Sequence, residues 1–215
     1  MAINNTADEE AAAVIEAAAA TAALLIIDVQ NDFCSGGALA VNGGEEVIAP
    51  LNKLSNFFYN MGGKVIATQD WHTENHISFA SLWPIHCVRG LPGAEFHKDL
   101  DLSSIHLILR KGTRENLDSY SAFFENDNKT STGLYAYLQS LGINRIFLGG
   151  LATDYCVLYS AMDAIKLGLV TYVIKDAVRA VNYPEGSAEK AMEAMTKAGV
   201  KIIESGDIKG IINGA

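Results

Sequence analysis

The chain has 215 residues, with 25 acidic and 16 basic side chains and a formal net charge of −9. That balance argues against nucleic acid and against an anionic membrane surface as a main partner. The length and a hydrophobic fraction of 49% suit one packed domain, and three cysteines without disulfide-like spacing point to a reduced, intracellular, cytoplasmic setting.

Residues 1–20 read as an Ala-rich N-terminal arm, helical and capped by Thr6 or Asp8, and residues 21–215 as a single domain. The charges of the arm are acidic, unlike those of a secretory or transit peptide. No run reaches the roughly twenty apolar residues that span a bilayer, so no membrane is expected.

Residues 21–29 are almost continuously apolar, as in a parallel strand covered on both faces. Asp28 stands at the end of that run, where a buried acid has to be paired or working. Asp32 suits the plainer role of capping the loop. Residues 45–61 place Val47, Ile48, Leu51, Leu54 and Phe58 at helical spacing, with Gly62 and Gly63 as a stop. Pro50 is tolerated if that helix begins near residue 47. Residues 64–69 form a second strand and complete a right-handed β-α-β unit.

Residues 70–104 are long for a connection and hold both tryptophans and four of the five histidines. Such a composition argues against disorder and for function. Asp70 and His72 are two apart, so in an extended segment they face one side. With His86 they form a donor set suited to zinc, iron or manganese. His97 and His106 read as surface or packing imidazoles, and His76 stays open between the two readings.

Residues 105–110 form a third strand, and Lys111 follows its end. It is either a solvated loop charge or, beside a carboxylate and a thiol, a stabiliser of thiolate. Residues 118–123 make an aromatic-bearing loop, and residues 132–141 a helix stopped by Gly142. Residues 146–148 read as a buried strand, Gly149 and Gly150 as a turn, and Thr153 or Asp154 as the cap of a helix over 155–167. Cys156 then lies in the first helical turn, where the dipole favours thiolate. A lone buried cysteine is more often packing; here Asp28 and Lys111 change the balance. A strand over 169–175, a helix over 185–198 and a strand over 201–204 follow.

This alternation points to a three-layer αβα fold with a doubly wound, six-stranded, mainly parallel sheet. If its strands take the Rossmann-like order 3-2-1-4-5-6, the first and the fourth are neighbours and Asp28 can reach Cys156. Ligands of such sheets bind at the carboxyl ends of the strands, where the order reverses. Asp28, Asp70, Lys111 and Cys156 all fall at strand ends. No GxGxxG or GxxxxGK[ST] follows the first strand, so a dinucleotide or triphosphate site of the usual kind is not expected.

The stretches DVQNDFC (28–34), TQDWH (68–72), HISF (76–79), WPIHCV (83–88), PGAEF (92–96), Lys111-Gly112 and GLATDYCV (150–157) resemble the nicotinamidases of the isochorismatase-like cysteine hydrolase superfamily. The resemblance runs from about residue 24 to about residue 176. It implies Cys156 as nucleophile, Asp28 as proton acceptor and Lys111 holding both. It further implies an oxyanion hole from the backbone N–H groups of Ala152 and Cys156, with a cis peptide before Ala152. Asp70, His72 and His86 would hold one divalent metal, zinc first and iron or manganese as alternatives. Phe33, Trp83 and Tyr120 would line the pocket of a nicotinamide ring. The implied reaction releases nicotinate and ammonia through a thioester, in NAD salvage. The family's ligands vary around His76 and Ser78, so these stay outside the set, and Tyr155 stands where some members carry His. The alternatives are another Cys-dependent amide hydrolase of the superfamily, an isochorismatase, against which Cys156 argues, or a non-catalytic binding protein on this fold. A homo-oligomer is left open.

Overall fold

A computed structural model describes residues 18–214 except Ser81. Most of the expected N-terminal arm, residues 1–17 with its cap, lies outside the described residues. Residues 18–20 are helical, and Ala19 is fully buried. The Ala18 carbonyl accepts from Arg145 Nη2 at 3.0 Å, which fastens this point to the fourth strand.

The sheet has six parallel strands in the order β3-β2-β1-β4-β5-β6, the Rossmann-like order expected. They are β1 (Ala22–Ile27), β2 (Lys64–Asp70), β3 (Leu107–Lys111), β4 (Arg145–Leu151), β5 (Val170–Arg179) and β6 (Lys201–Ile203). Every residue of β1 is buried. Ala22, Leu24 and Ile26 enter one core cluster, while Ala23, Leu25 and Ile27 enter the other. A strand covered on both faces needs both sets of side chains to be apolar, hence the unbroken run.

Helix α1 (Ile48–Asn60) covers one face with Ile48, Leu51, Leu54 and Phe58, and α5 (Ile208–Asn213) joins it through Ile208 and Ile212. The other face carries α2 (Leu134–Ser140), α3 (Leu158–Lys166) and α4 (Ser187–Lys197). A 3-10 turn over Gly44–Val47 precedes α1, so Pro50 falls in the first α-helical turn, where a missing N–H does no harm.

Three local expectations are corrected. Gly149 and Gly150 do not make a turn; β4 runs through both. Gly150 has φ 120°, and a Cβ there would lie 2.1 Å from the Ile27 carbonyl oxygen, so the glycine lets β4 approach β1 at the reversal of strand order. Lys111 does not follow β3 but ends it, in register with Asp70 at the end of β2. β5 extends past Lys175 to Arg179, because a register shift in β4 lets Val178 and Arg179 pair with Gly150 and Leu151.

Gly150→Ala should lower stability by about 1–3 kcal/mol through overpacking, read as a lower urea midpoint. A midpoint equal to wild type would mean that β1 and β4 do not approach as closely as described.

Candidate active site

Four strand ends converge on one ammonium group. The Lys111 side chain has no solvent exposure, and its Nζ lies 2.8 Å from Asp28 Oδ2, which follows β1. It donates to Asp70 Oδ1 at 2.5 Å, to the Ser119 carbonyl at 3.0 Å and to Cys156 Sγ, beyond β4, at 3.4 Å. Asp28, at 0% exposure, takes a left-handed backbone with φ 49°, a conformation Asp tolerates better than most residues. Its other oxygen accepts from Thr68 Oγ1 at 2.6 Å. One oxygen therefore faces the neighbouring strand and the other faces Lys111. Sγ of Cys156 and one oxygen each of Asp28 and Asp70 lie within 4.8 Å of one another.

The electrostatics of this cluster follow from burial. Desolvation pushes the Asp28 carboxyl above its ordinary value, partly offset by the Lys111 charge. The Cys156 thiol is pushed well up, first by burial, with Asp28 and Asp70 adding to it against Lys111. Lys111 is held well above its ordinary value because the attraction of two carboxylates outweighs its own desolvation. Burial thus favours the neutral thiol of Cys156 at rest. This corrects the expectation of a thiolate favoured by a helix N-terminus. Cys156 lies in a π-helical turn, Thr153–Val157, before α3 begins, and its full burial dominates.

Neither Thr153 nor Asp154 caps a helix with its side chain. Asp154 instead accepts from Val181 N at 3.0 Å, Asn182 N at 2.8 Å and Ser187 Oγ at 2.5 Å. It ties the turn bearing Cys156 to the connection between β5 and α4. The peptide between Leu151 and Ala152 is cis.

One narrow cavity is lined by Phe33, Trp83, Tyr120 and Tyr155 around Asp70, His86, Ala152 and Cys156. Trp83 Nε1 donates to the Tyr120 hydroxyl at 3.1 Å, joining two loops across its wall. Tyr155 stands edge-on to Trp83, ring centroids 4.8 Å apart, and its hydroxyl donates to the Tyr183 carbonyl at 2.6 Å. Burial pushes the Tyr120 phenol up to about 12, so it stays neutral. A wider groove between α1 and α5 holds none of these residues.

Asp70, His72 and His86 are all buried, and one donor atom of each lies within 4.8 Å of the others. Nδ1 of His72 pairs with the Gly112 carbonyl at 2.9 Å, and Nδ1 of His86 with the Pro84 carbonyl at 2.8 Å. A carbonyl partner places the ring proton on Nδ1 and leaves Nε2 as a bare donor. Burial and the two neighbouring imidazoles lower His72 to about 3, so it stays neutral. The donor set therefore fits a divalent cation. Gln30, fully buried, grips Asp70 by its backbone: its Nε2 donates to Asp70 O and its Oε1 accepts from Asp70 N, both at 2.8 Å.

His76 stacks on His72 with ring centroids 4.0 Å apart, and its buried Nε2 has no hydrogen-bond partner among the described residues. Its place was not legible from spacing alone. His97 and His106 lie outside the trio, where their Nδ1 atoms accept from the backbone of Asp99 and Val65. Sequence reasoning passed over Thr68, Gln30 and the clamp made by Asp154, since nothing local marks a partner 27 to 40 positions away.

The isochorismatase domain family matches residues 22–207. A nicotinamidase of Acinetobacter baylyi is 45% identical over 202 residues, covering 85% of this chain and 92% of the relative. The chain belongs to the nicotinamidases of the isochorismatase-like superfamily. Among solved structures, a protein from L. infantum in complex with nicotinate is 39% identical with a TM-score of 0.82, covering 87% of this chain and 94% of that one. The pyrazinamidase of Pyrococcus horikoshii in complex with zinc is 38% identical with a TM-score of 0.77, covering 86% and 99%.

Lys111→Met should leave two carboxylates buried without a counter-charge. A loss of about 3–5 kcal/mol is expected in chemical denaturation at pH 7, together with loss of activity. Stability within 1 kcal/mol of wild type would contradict the ion cluster.

Proposed function

We propose that this chain hydrolyses nicotinamide to nicotinate and ammonia through a thioester on Cys156, a step of NAD salvage. The observation that carries the reading is the cluster of Asp28, Lys111 and Cys156 at an aromatic-walled cavity. The A. baylyi relative, a nicotinamidase, supports the choice of substrate.

Asp28 takes the thiol proton as Sγ attacks the amide carbon. The backbone N–H groups of Ala152 and Cys156 stabilise the oxyanion that forms. Asp28 then passes its proton to the leaving nitrogen, and ammonia departs. Water attacks the thioester with Asp28 as base, and the proton returns to sulfur as nicotinate is released. Lys111 keeps Asp28 and Cys156 in place and offsets the negative charge that moves between them. Phe33, Trp83 and Tyr120 hold the pyridine ring. Asp70, His72 and His86 would hold one divalent ion, zinc by its liking for imidazole and carboxylate and by the zinc complex of the P. horikoshii relative. When bound, the ion supplies a Lewis-acidic position for the pyridine nitrogen. A thiol that must stay reduced suits an intracellular compartment.

Purified protein should release ammonia from nicotinamide, lose that activity on exhaustive chelation and regain it with added zinc. Release indifferent to chelation would keep the amidase and remove the metal. No release from folded, metal-loaded protein would turn attention to related amide hydrolases. Cys156→Ala should abolish turnover while metal content stays unchanged, and substantial residual activity would displace Cys156 as nucleophile. The base must be ionised, so kcat/KM should fall as pH drops through a midpoint above the ordinary carboxylate value of 3.8. An acid limb at or below that value would exclude Asp28 as the base.

A further inference from the structure

We infer that Asp32, seated over Gly93, is a positioning residue for the two histidine donors and sets how tightly the ion is held. The inference rests on the metal reading above and adds to it a residue outside the donor set.

Asp32 lies in the 3-10 turn Asn31–Phe33 that follows β1. It belongs to none of the groups of side chains that could hold an ion. Its Oδ2 accepts from Cys87 N at 2.7 Å, and its Oδ1 accepts from Ala38 N at 3.2 Å. Cys87 directly follows His86 and takes a left-handed backbone with φ 46°, which a thiol-bearing residue does not adopt without restraint. The Cys87 carbonyl in turn accepts from His72 N at 3.0 Å. One peptide segment thus joins the backbones of both histidines, and a single carboxylate holds it by its N–H.

Gly93 supplies the seat. A Cβ at this residue would lie 2.1 Å from Asp32 Oδ2 and 2.3 Å from its carboxyl carbon. The φ of Gly93 is not in the left-handed region, so the backbone itself admits alanine. Glycine is required there for space alone, and what fills the space is the Asp32 carboxylate. The loop around it is docked by Asn31, whose backbone N–H donates to Glu95 O at 3.0 Å and whose Nδ2 donates to Pro92 O at 2.7 Å.

Donors held in place before binding lose less freedom when the ion arrives. Asparagine at residue 32 keeps one acceptor and turns an N–H₂ toward a backbone N–H, so one of the two restraints is lost. Alanine at residue 93 displaces the carboxylate from the other side without touching Asp32 itself. Both changes should loosen the segment between His72 and His86 and leave Cys156, Asp28 and Lys111 in place.

The test is zinc affinity by chelator competition, with the zinc dissociation rate, on purified protein loaded with zinc. Asp32→Asn and Gly93→Ala should each weaken zinc by about 10–100-fold, the usual effect of removing a group that orients ligands. Phe58→Leu, on the core face of α1, should lower the melting temperature and leave zinc affinity unchanged. Wild-type affinity in both Asp32→Asn and Gly93→Ala overturns the inference, as does equal weakening in Phe58→Leu. If wild-type protein takes up no divalent ion, the metal reading itself fails and this inference goes with it.

Discussion

A primary ammonium group with no access to water is the constraint on which the rest of the site depends. Burying the Lys111 charge costs several kcal/mol unless partners surround it, and three of its four partners come from the ends of strands other than its own. Asp28 follows β1, Asp70 ends β2, Lys111 itself ends β3, and Cys156 follows β4. The group has three N–H donors and four neighbours, and the thiol is the most distant of them at 3.4 Å. Two carboxylates already share one cation, so a thiolate would add a further negative charge to a dry site. Transfer of the thiol proton to Asp28 moves charge within the cluster without adding any. A buried acid as the proton acceptor is therefore what this arrangement of charges favours.

The sheet topology is what makes the convergence possible. Strand order reverses between β1 and β4, so connections leave to opposite faces and a crevice opens at their ends. Gly150 narrows the gap between the two strands just below that crevice. The turn bearing Cys156 is then fixed to the connection between β5 and α4, by Asp154 on the backbone of Val181 and Asn182 and by the Tyr155 hydroxyl on Tyr183. Cys156 sits on irregular backbone, but that backbone runs straight from β4 into α3 and is pinned to a neighbouring segment.

What could be read from the sequence was what period and composition encode. The apolar runs marked the strands because both faces of the sheet are covered, and the alternation of elements marked the sheet as doubly wound. Asp70, His72 and His86 could be grouped because they share one connection. The misreadings have a common cause. Gly149 and Gly150 looked like a turn because close approach to Ile27 is invisible in one dimension. Asp154 looked like a cap because its true partners are 27 to 33 residues away. The state of the Cys156 thiol was misjudged because a local dipole was weighed without the burial that tertiary packing imposes.

Asp70 shows why the candidate metal donors and Cys156 are not independent of each other. One of its oxygens meets Lys111 at 2.5 Å, and the other lies 3.7 Å from Nε2 of His72. Its backbone is gripped on both sides by the Gln30 amide, so the carboxylate has little freedom to serve one neighbour at the expense of the other. In nicotinamide the ring nitrogen and the carboxamide carbon are held apart by a rigid aromatic ring. A protein that recognises one end and attacks the other must keep its two subsites equally rigid. A single carboxylate shared between them does so directly, and a flexible linkage would let the ring bind without bringing the amide to sulfur.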